Sequence, residues 1–583
     1  MKFIFKYLWK YKGLLCFDFL MVFGFVIAEM GLPILLAEII NKGLPNKDYP
    51  LIQKQVLFMV AIILIAFTMT ILLNYFVSKL STMIVRDIRN DLFEHLETFS
   101  HKEYEQIGVA SLITRVTNDA FQIYQFVSQI LRLGFITPIM FSVSIVMILN
   151  TAPTLSIYVW CALPIMILSM VLLAKFSEPM SQAQQENLDK MNEMMRENLS
   201  GFRVIRAFVR EHFVAKRFEK VNVAYQKSTK ALFKLLAAAD PAFSLLFNIV
   251  MAFVLWNGAM QIAGGTLELG SLLAFFDFIF HMLFSFMLLA MVFMMYPRAN
   301  VSAKRIQEAL SIQSVLVDVE NSVENDVETC EKPVEIVFDN VSFSYSDAEE
   351  HQHHLHEIFF TAKKGEVTAF VGSTGSGKST LIQLIPRFYD VSQGSILISG
   401  RDVREFPLVR LREKIGYIPQ KAQLYSGTIR ENLLFGKENA TEEELIRALK
   451  LSDAYRFVSE KEQGLDSVVS EGGANFSGGQ KQRLAIARAL VRQPEIYIFD
   501  DSFSALDAKT DAKIRKNLKA ATKEAVTLIV AQRISSIMDA DKIIVLNNGK
   551  IEAIGTHHEL LKISQTYREI AESQLTKEEL ERG

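Results

Sequence analysis

The chain has 583 residues, of which 50% are hydrophobic and 22% are charged, and its formal net charge is −2. At roughly 150 residues per domain this length excludes a single small domain, and the hydrophobicity excludes a disordered chain. The near-neutral charge disfavours a generic nucleic-acid binder, and three widely spaced cysteines support neither a disulfide framework nor a zinc site.

The first half of the chain is dominated by long apolar segments. Six of them lie at 14–40, 53–79, 125–150, 154–176, 236–263 and 271–296. Each is long enough for a membrane helix, which needs about 20 mostly apolar residues. The alternative is a set of core helices in a large soluble protein, but the sixth segment is apolar on all sides, and soluble helices normally keep a polar face. The sequence therefore predicts a six-helix transmembrane domain over residues 1–300.

The N-terminal stretch MKFIFKYLWKYK is basic and aromatic. No small-residue cleavage site follows it, so a signal peptide is disfavoured. We expect a helix at the membrane interface, with its lysines toward the headgroups. These lysines are Lys2, Lys6, Lys10 and Lys12.

Basic residues are concentrated in the polar stretches 80–124 and 177–235, whereas the opposite loops carry only Lys42 and Lys47. Basic loops stay in the cytoplasm. The N-terminus, both long loops and the C-terminal half are therefore predicted to be cytoplasmic. Helical periodicity in the two stretches predicts that the membrane helices continue well beyond the bilayer.

The composition changes after residue 300. Residues 301–333 are mixed and increasingly acidic, as expected of a linker. From 334 to 575 short strands alternate with helices, which predicts a cytoplasmic α/β domain, and a charged tail follows at 576–583.

A glycine-rich loop stands between a predicted buried strand at 366–371 and a helix. It has the spacing G-x-x-x-x-G-K-[ST]. The glycines of this motif let backbone N–H groups point toward phosphate oxygens at the N-terminus of the helix. We expect Lys378 to reach the β- and γ-phosphates of ATP and Ser379 to ligate Mg²⁺. The predicted ATP-binding residues of the loop are Gly372, Ser373, Thr374, Gly375, Ser376, Gly377, Lys378, Ser379 and Thr380.

A second acidic element follows downstream. The apolar stretch EIYIFD ends at Asp500, which matches the second Mg²⁺ anchor of a P-loop NTPase. An apolar strand that ends in aspartate is common, so this signal depends on its pairing with the glycine-rich loop.

Between these elements lies NFSGGQKQR, which resembles the signature motif of ATP-binding cassette (ABC) proteins, with Phe476 where leucine is usual. Tyr345 resembles the aromatic residue that stacks on adenine in this family. Gln420 resembles the Q-loop glutamine, which contacts Mg²⁺ and couples to the membrane domain. The matching signature residues are Phe476, Ser477, Gly478, Gly479 and Gln480. The matching D-loop residues are Ser504, Ala505, Leu506 and Asp507.

The order of six spans, two long cytoplasmic loops and a cassette resembles an ABC exporter half-transporter of the type IV fold. In that family Ser477 and Gly479 bind the γ-phosphate of ATP held by the opposite cassette, so the resemblance implies a dimer. It also implies that short helices near 100–115 and 201–212 transmit the closing movement of the cassettes to the transmembrane helices.

Two positions depart from the family pattern. Asp501 stands where the family has a glutamate, whose side chain is one methylene longer. In the family, that glutamate positions or deprotonates the attacking water. Gln532 stands where the family has histidine, and it has no titratable ring. Loss of general-base positioning typically costs about 10²–10⁴-fold in rate. The pair predicts the slow-site subunit of a heterodimer, whose partner supplies the usual Glu and His. A slow homodimer is the alternative.

The substrate is less well defined by the sequence. Asp277, His281 and Ser285 follow i, i+4, i+8 spacing on the sixth span, and Asp18 and Glu29 share a face of the first. Charges inside a bilayer are costly and usually face a cavity or a partner. We expect a cavity for amphipathic or cationic compounds and efflux of several drugs across a bacterial plasma membrane. In the alternative, the Phe and Met residues of the sixth span face lipid and the acidic residues pair with other residues.

Other functions remain open at this stage. A lipid or haem transporter of the same architecture is one alternative, and a non-transport ABC protein is disfavoured by the six spans. A histidine cluster also precedes the glycine-rich loop, where a metal or haem site is less favoured than a solvated strand turn. Its members are His351, His353, His354 and His356.

Overall fold

We analysed a computed structural model, which describes residues 2–314, 316, 333–345, 354–576 and 580. Its contacts divide the chain into two compact units. The first comprises Met1–Glu97 with Val109–Ile312, and the second comprises Thr98–Gly108 with Gln313–Gly583. A segment that falls between two membrane helices in sequence therefore packs with the second unit.

The first half of the chain is helical, as predicted. In chain order the helices are α1 Lys2–Lys10, α2 Lys12–Glu38, α3 Tyr49–Glu97, α4 His101–Ile107, α5 Val109–Thr114, α6 Ala120–Thr151, α7 Ser156–Ser200, α8 Phe202–Ala207, α9 Glu211–Ala263 and α10 Leu269–Ser311. Short π-helical turns occupy Ile39–Gly43 and Arg115–Asp119.

Six stretches of the described chain are long and apolar enough to cross a membrane, which confirms the predicted number. They are Lys12–Gly43, Tyr49–Glu97, Val109–Thr151, Ser156–Ser200, Glu211–Ala263 and Leu269–Ser311. Helix α3 has 49 residues and α9 has 53, which at about 1.5 Å per residue is more than twice a hydrocarbon core of about 30 Å. The helices therefore continue into polar sequence, as the periodicity predicted.

Aromatic contacts fix the packing within the first unit. Phe17 of α2 meets Phe76 of α3 with ring centroids 4.8 Å apart, and Phe19 lies 5.8 Å from Phe135 of α6. A separate contact stacks Tyr158 of α7 on Phe253 of α9. Thus α2, α3 and α6 pack together, while α7 pairs with α9.

The N-terminal helix is anchored to α3. Tyr7 donates a 2.7 Å hydrogen bond to Asp91, and Lys10 forms a 2.7 Å ion pair with Asp87. Phe5 and Trp9 remain exposed and stack on each other. Lys10 therefore has a carboxylate partner within the protein, beyond the headgroup contact expected from the sequence.

The cassette strands are short and mostly buried, as expected of an α/β domain. They are β1 Glu335–Phe343, β2 Leu355–Lys363, β3 Val367–Gly372, β4 Gln393–Ile398, β5 Arg401–Asp402, β6 Ile415–Ile418, β7 Gly427–Thr428, β8 Val468–Val469, β9 Ile496–Asp500, β10 Val526–Val530, β11 Lys542–Asn547 and β12 Lys550–Gly555. The helices are α11 Lys378–Leu384, α12 Leu408–Glu413, α13 Ile429–Leu434, α14 Glu442–Leu451, α15 Tyr455–Ser459, α16 Gly478–Arg492, α17 Ala508–Ala521, α18 His557–Ile563 and α19 Gln565–Gln574.

The sheet topology explains where the motifs meet. The main sheet has the order β12-β11-β3-β10-β9-β6, and all neighbours except β11 and β12 are parallel. Parallel strands place their carboxyl ends at one edge, where ligands bind in such sheets. The segments that follow β3, β10, β9 and β6 are therefore brought together, although they are up to 160 residues apart in sequence.

Candidate nucleotide site

The glycine-rich loop leads from the buried strand β3 into α11. Gly375 and Gly377 have φ values of +84° and +96°, a left-handed conformation that side chains rarely adopt. A Cβ on Gly377 would also lie 2.7 Å from a methyl carbon of Leu355. The loop borders a cavity of about 410 Å³, which is lined by His354, Gly375, Gly377, Lys378, Ser379, Thr380, Asn548 and Gly549.

Lys378 lies across this loop. Its Nζ donates to the carbonyl oxygens of Gly372 and Ser373 at 2.9 and 2.7 Å. Burial lowers the pKa of the Lys378 ammonium, while the negative charges of Asp501 and Asp500 act in the opposite direction. Phosphate oxygens at the loop would therefore contact a partly desolvated Lys378 ammonium group.

Ser379 and Asp500 form the oxygen pair expected for a divalent cation. The Ser379 hydroxyl donates to Asp500 Oδ1 at 3.1 Å, and the Tyr417 hydroxyl donates to Oδ2 at 3.1 Å. Asp500 is only 5% exposed, and burial raises the pKa of its carboxyl. A buried carboxylate beside a hydroxyl suits Mg²⁺, which prefers oxygen ligands and would supply the missing positive charge.

The two departures from the family pattern lie against each other. Asp501 accepts a 3.1 Å hydrogen bond from Gln420 Nε2, and the backbone N–H of Gln532 donates to the same carboxylate. Burial raises the pKa of Asp501. Asp501 also has φ +47°, a left-handed conformation that aspartate tolerates better than most residues. The side chain of Gln532 is exposed, and the backbone carbonyl of Gln532 accepts a hydrogen bond from the side-chain amide of Gln574.

Tyr345 closes the other end of the site. Its hydroxyl lies 3.2 Å from Thr380 Oγ1, which lines the cavity. Its ring meets Tyr389 edge to face at 5.2 Å and His354 at 4.9 Å. The aromatic residue predicted to stack on adenine is thus adjacent to the glycine-rich loop.

The signature motif begins a helix. The Ser477 hydroxyl accepts from the backbone N–H of Gln480, whose side chain accepts from the Ser477 N–H. Phe476, the unusual signature residue, is buried in the cassette core, where Lys461 lies over its ring. The aromatic substitution therefore fills the core, and Ser477 and Gly478 remain exposed.

Two residues that the sequence analysis missed connect the motifs. Gln482 is 4% exposed, donates to the Gln420 carbonyl at 3.4 Å and accepts from the Ala505 N–H at 3.3 Å. It thereby joins the Q-loop to the D-loop, while Tyr417 fixes Asp500. Tyr417 stands in IGYIPQ and Gln482 in GGQKQR, so adjacency to a motif was the available signal.

The D-loop is held from both sides. Ser504 donates to the Asp501 carbonyl at 2.8 Å, and Asp507 caps α17 by accepting from the Thr510 N–H. Ala505 is exposed and Leu506 is buried. Within the described ranges, no hydrogen bond or ion pair joins residues 476–480 to residues 372–380.

The predicted membrane residues do not all share one environment. Asp277 Oδ2 lies 3.5 Å from His281 Nε2, and the Asp277 side chain is 46% exposed. Ser285 is buried and donates to the Met282 carbonyl. Glu29 is half-buried. A common substrate face for these residues stays a prediction.

The histidine cluster is divided. His351 and His353 lie outside the described residues, whereas His354 and His356 lie at the start of β2. Among the described residues, no group of three or more His, Cys, Asp or Glu side chains is placed to hold a metal ion.

Comparison with known proteins gives a consistent result. Residues 15–308 match the model of the ABC transporter transmembrane region, and residues 355–504 match the ABC transporter model. The chain belongs to the ABC transporter family. Its ATP-binding domain is accordingly that of an ATPase whose hydrolysis is coupled to transport.

Several ABC transporters are similar over most of their length. An uncharacterised ABC transporter ATP-binding protein of Mycobacterium tuberculosis is 37% identical over 94% of both chains. A probable multidrug resistance ABC transporter ATP-binding/permease protein of Bacillus subtilis is 35% identical over 84% of this chain and 82% of its own. An ATP-dependent lipid A-core flippase of Desulfotalea psychrophila is 32% identical over 92% of both.

The solved structure of a bacterial Atm1-family ABC exporter with ATP bound shares the fold. The match has a TM-score of 0.78 and covers 97% of this ABC transporter and 99% of that chain, at 23% identity. The predicted fold class, an all-α six-helix transmembrane domain fused to an α/β P-loop ABC ATPase domain, is confirmed.

Proposed function

We propose that the chain is one half of an ATP-driven exporter that moves amphipathic small molecules out across the plasma membrane. In this proposal it pairs with a different half-transporter, and its own ATP site hydrolyses slowly. The observation that carries the proposal is the hydrogen bond from the backbone N–H of Gln532 to the Asp501 carboxylate, because it brings the two replaced positions together at one point of the site.

The chain's own residues suffice to bind the nucleotide. The N–H groups of the glycine-rich loop and Lys378 bind the phosphates, and Tyr345 stacks on the base. Ser379, Gln420 and Asp500 hold the cation. Bound MgATP supplies the phosphoanhydride bond, and its Mg²⁺ neutralises the negative charge of the buried Asp500 carboxylate.

Hydrolysis is where this site is weak. The Asp501 carboxylate is one methylene shorter than glutamate and is held by Gln420. A misplacement near 1 Å costs about 10²-fold in rate. Gln532 can hydrogen-bond a phosphate but cannot carry a proton. The site therefore retains ATP binding and loses most of the turnover.

The signature is nearly intact, with Phe476 in place of leucine, and serves the partner's site. The N-terminus of α16, where Ser477 and Gly478 are exposed and Gly479 is half-buried, presents the positive end of the helix dipole. Such an end is suited to a γ-phosphate held by the other cassette. A partner with Glu after its Walker B aspartate and a switch histidine then hydrolyses ATP against this signature.

Exposed apolar residues support assembly of two chains. Phe208 and Val209, just after α8, are 72% and 80% exposed. In the cassette Phe435 is 68% exposed and packs at 4.8 Å on the exposed ring of Tyr425. Exposed apolar residues that lie next to each other are typical of protein–protein interaction sites. We assign them to contacts between the α8 region of one half-transporter and the cassette of the other.

Multidrug efflux is the favoured activity. The half-exposed Phe280 and Phe284 stack on each other on α10 next to His281, and exposed Met287 and Met291 follow. Flexible Met and aromatic surfaces suit varied apolar ligands. A lipid flippase is the second candidate, because one relative bears that name. A haem transporter and a slow homodimer remain alternatives of the same architecture.

The test compares the purified chain with the chain co-purified with its partner. We expect the chain alone to hydrolyse ATP at least 10²-fold more slowly than the complex. Stimulation of the complex by amphipathic drugs or by lipids then separates the two substrate classes. Ordinary transporter turnover by the chain alone would contradict the heterodimer proposal.

A further inference from the structure

His354 is the one described member of the histidine cluster that borders the nucleotide cavity. His354 lines the space together with Gly375, Gly377, Lys378 and Thr380. The sequence suggested only a solvated turn or a metal ligand here, and neither explains this position.

The backbone of His354 is fixed tightly against the loop. Its N–H donates to the Phe343 carbonyl at 2.7 Å. A Cβ on Gly549 would lie 2.4 Å from the His354 carbonyl, and one on Gly377 would lie 3.2 Å from it. Two glycines therefore allow this close approach, which brings the His354 backbone to the cavity.

The imidazole faces the base end of the site. Its ring centroid lies 4.9 Å from that of Tyr345, with the rings nearly perpendicular at 82°. Within the described part of the chain its nitrogens have no hydrogen-bond partner, and the residue is exposed. A neutral imidazole offers one donor and one acceptor. These groups are available to a ligand that contacts Tyr345.

We propose that His354 binds the nucleoside part of ATP, the base or the ribose, and thereby contributes to nucleotide affinity and selectivity beside Tyr345. The assignment rests on the proposed ATP site. It gives the cavity a polar contact at its nucleoside end, complementary to the contacts that Lys378 and the loop make with the phosphates.

The test measures nucleotide binding to the full-length chain in detergent. His354→Ala should weaken ATP and ADP by the same factor of about five, the size of one hydrogen bond. His558→Ala, an exposed histidine on α18, is the matched control and should change neither affinity. His354→Asn should recover part of the loss, because an amide also donates and accepts.

The analogue 2′,3′-dideoxyATP locates the contact. A loss that vanishes with this analogue assigns His354 to the ribose, and a loss that persists assigns it to adenine. Both results support the inference. Unchanged ATP and ADP affinities in a folded His354→Ala variant overturn it, as does a loss confined to ATP, which would place the contact at the γ-phosphate. If the unmodified chain binds no ATP, the proposed function itself fails.

Discussion

The side-chain amide of Gln420 donates a 3.1 Å hydrogen bond to the Asp501 carboxylate. This contact joins the Q-loop to the residue at the position of the family's catalytic glutamate. The bond restrains the Asp501 carboxylate, although the remaining lone pairs of its two oxygens can still accept from a water molecule. The substitution therefore shortens the carboxylate side chain at a position where Gln420 restrains it.

Restoring the family residues should restore hydrolysis. In Asp501→Glu/Gln532→His, we expect the ATPase rate at this site to rise about 10²-fold, because both the base and the titratable ring return. The measurement is steady-state ATPase activity of a complex whose partner site is inactivated. The left-handed φ of +47° suits aspartate better than glutamate, so a lower Tm should accompany the gain. A double variant that remains as slow as the parent would contradict the assignment.

Removing the loop lysine should weaken nucleotide binding. Lys378→Ala deletes a charged donor to phosphate, and bonds to charged groups contribute about 1.5–3 kcal/mol. We expect ATP affinity to fall by about 10- to 100-fold in equilibrium titration. Lys513→Ala, a lysine on α17 that pairs with Asp453, is the control. Equal affinities of the two variants for ATP would contradict the assignment of Lys378 to phosphate binding.

Asp500 should destabilise the nucleotide-free cassette at neutral pH. Burial raises the pKa of its carboxyl, so the folded chain binds this proton more tightly than the unfolded chain. Stability from this group therefore falls as pH rises from the ordinary aspartate range through the raised pKa. Asp500→Asn should raise Tm by about 2 °C near pH 7.5, as for a change near 1 kcal/mol.

The same variant should lose its response to MgATP, since the cation loses a charged ligand. Thermal unfolding with and without MgATP checks both effects.

Asp507 is the opposite case, because the backbone N–H of Thr510 holds its pKa below the usual range. Asp507→Asn should therefore shift Tm downward at neutral pH. A lower nucleotide-free Tm in Asp500→Asn would contradict the sign.

The buried Gln482 should be structural as well as functional. Gln482→Leu leaves the Ala505 N–H and the Gln420 carbonyl without their partner, at a cost of about 1–3 kcal/mol. We expect a lower Tm and a weaker response of ATPase activity to transported substrate. Gln463→Leu, outside these contacts, serves as the control. A variant with unchanged Tm and unchanged substrate stimulation would exclude this role.

The exposed aromatic pair should matter for assembly and coupling. Phe435→Ala removes a solvent-exposed ring, so the folding of the chain should survive, while interface residues of this type contribute about 2 kcal/mol or more. We expect substrate-stimulated ATPase activity to fall about tenfold with ATP affinity unchanged. Val409→Ala, 66% exposed on α12, is the matched control. Equal coupling in both variants would remove Phe435 from the interface.

Much of the architecture followed from local pattern. Runs of apolar residues predicted six spans because a bilayer demands about 20 of them in each helix. Motif spacing located Lys378, Ser379 and Asp500, since a strand, a turn and a helix are short-range structures. Adjacency to a motif was the only signal for Tyr417 and Gln482, and their connections were not predictable, because each partner is tens of residues away in sequence.

By itself, the sequence determined the family, the spans and the two departures at Asp501 and Gln532. Only the tertiary structure decided that the Asp501 carboxylate meets the backbone of Gln532. It also decided that His354, from the cluster predicted as a solvated strand turn, lines the nucleotide cavity. His354 is placed by its backbone hydrogen bond to Phe343, whereas for Asp501 and Gln532 the physical reason is the parallel sheet. It brings the carboxyl ends of β3, β10, β9 and β6 to one edge, and no local periodicity encodes which strands become neighbours.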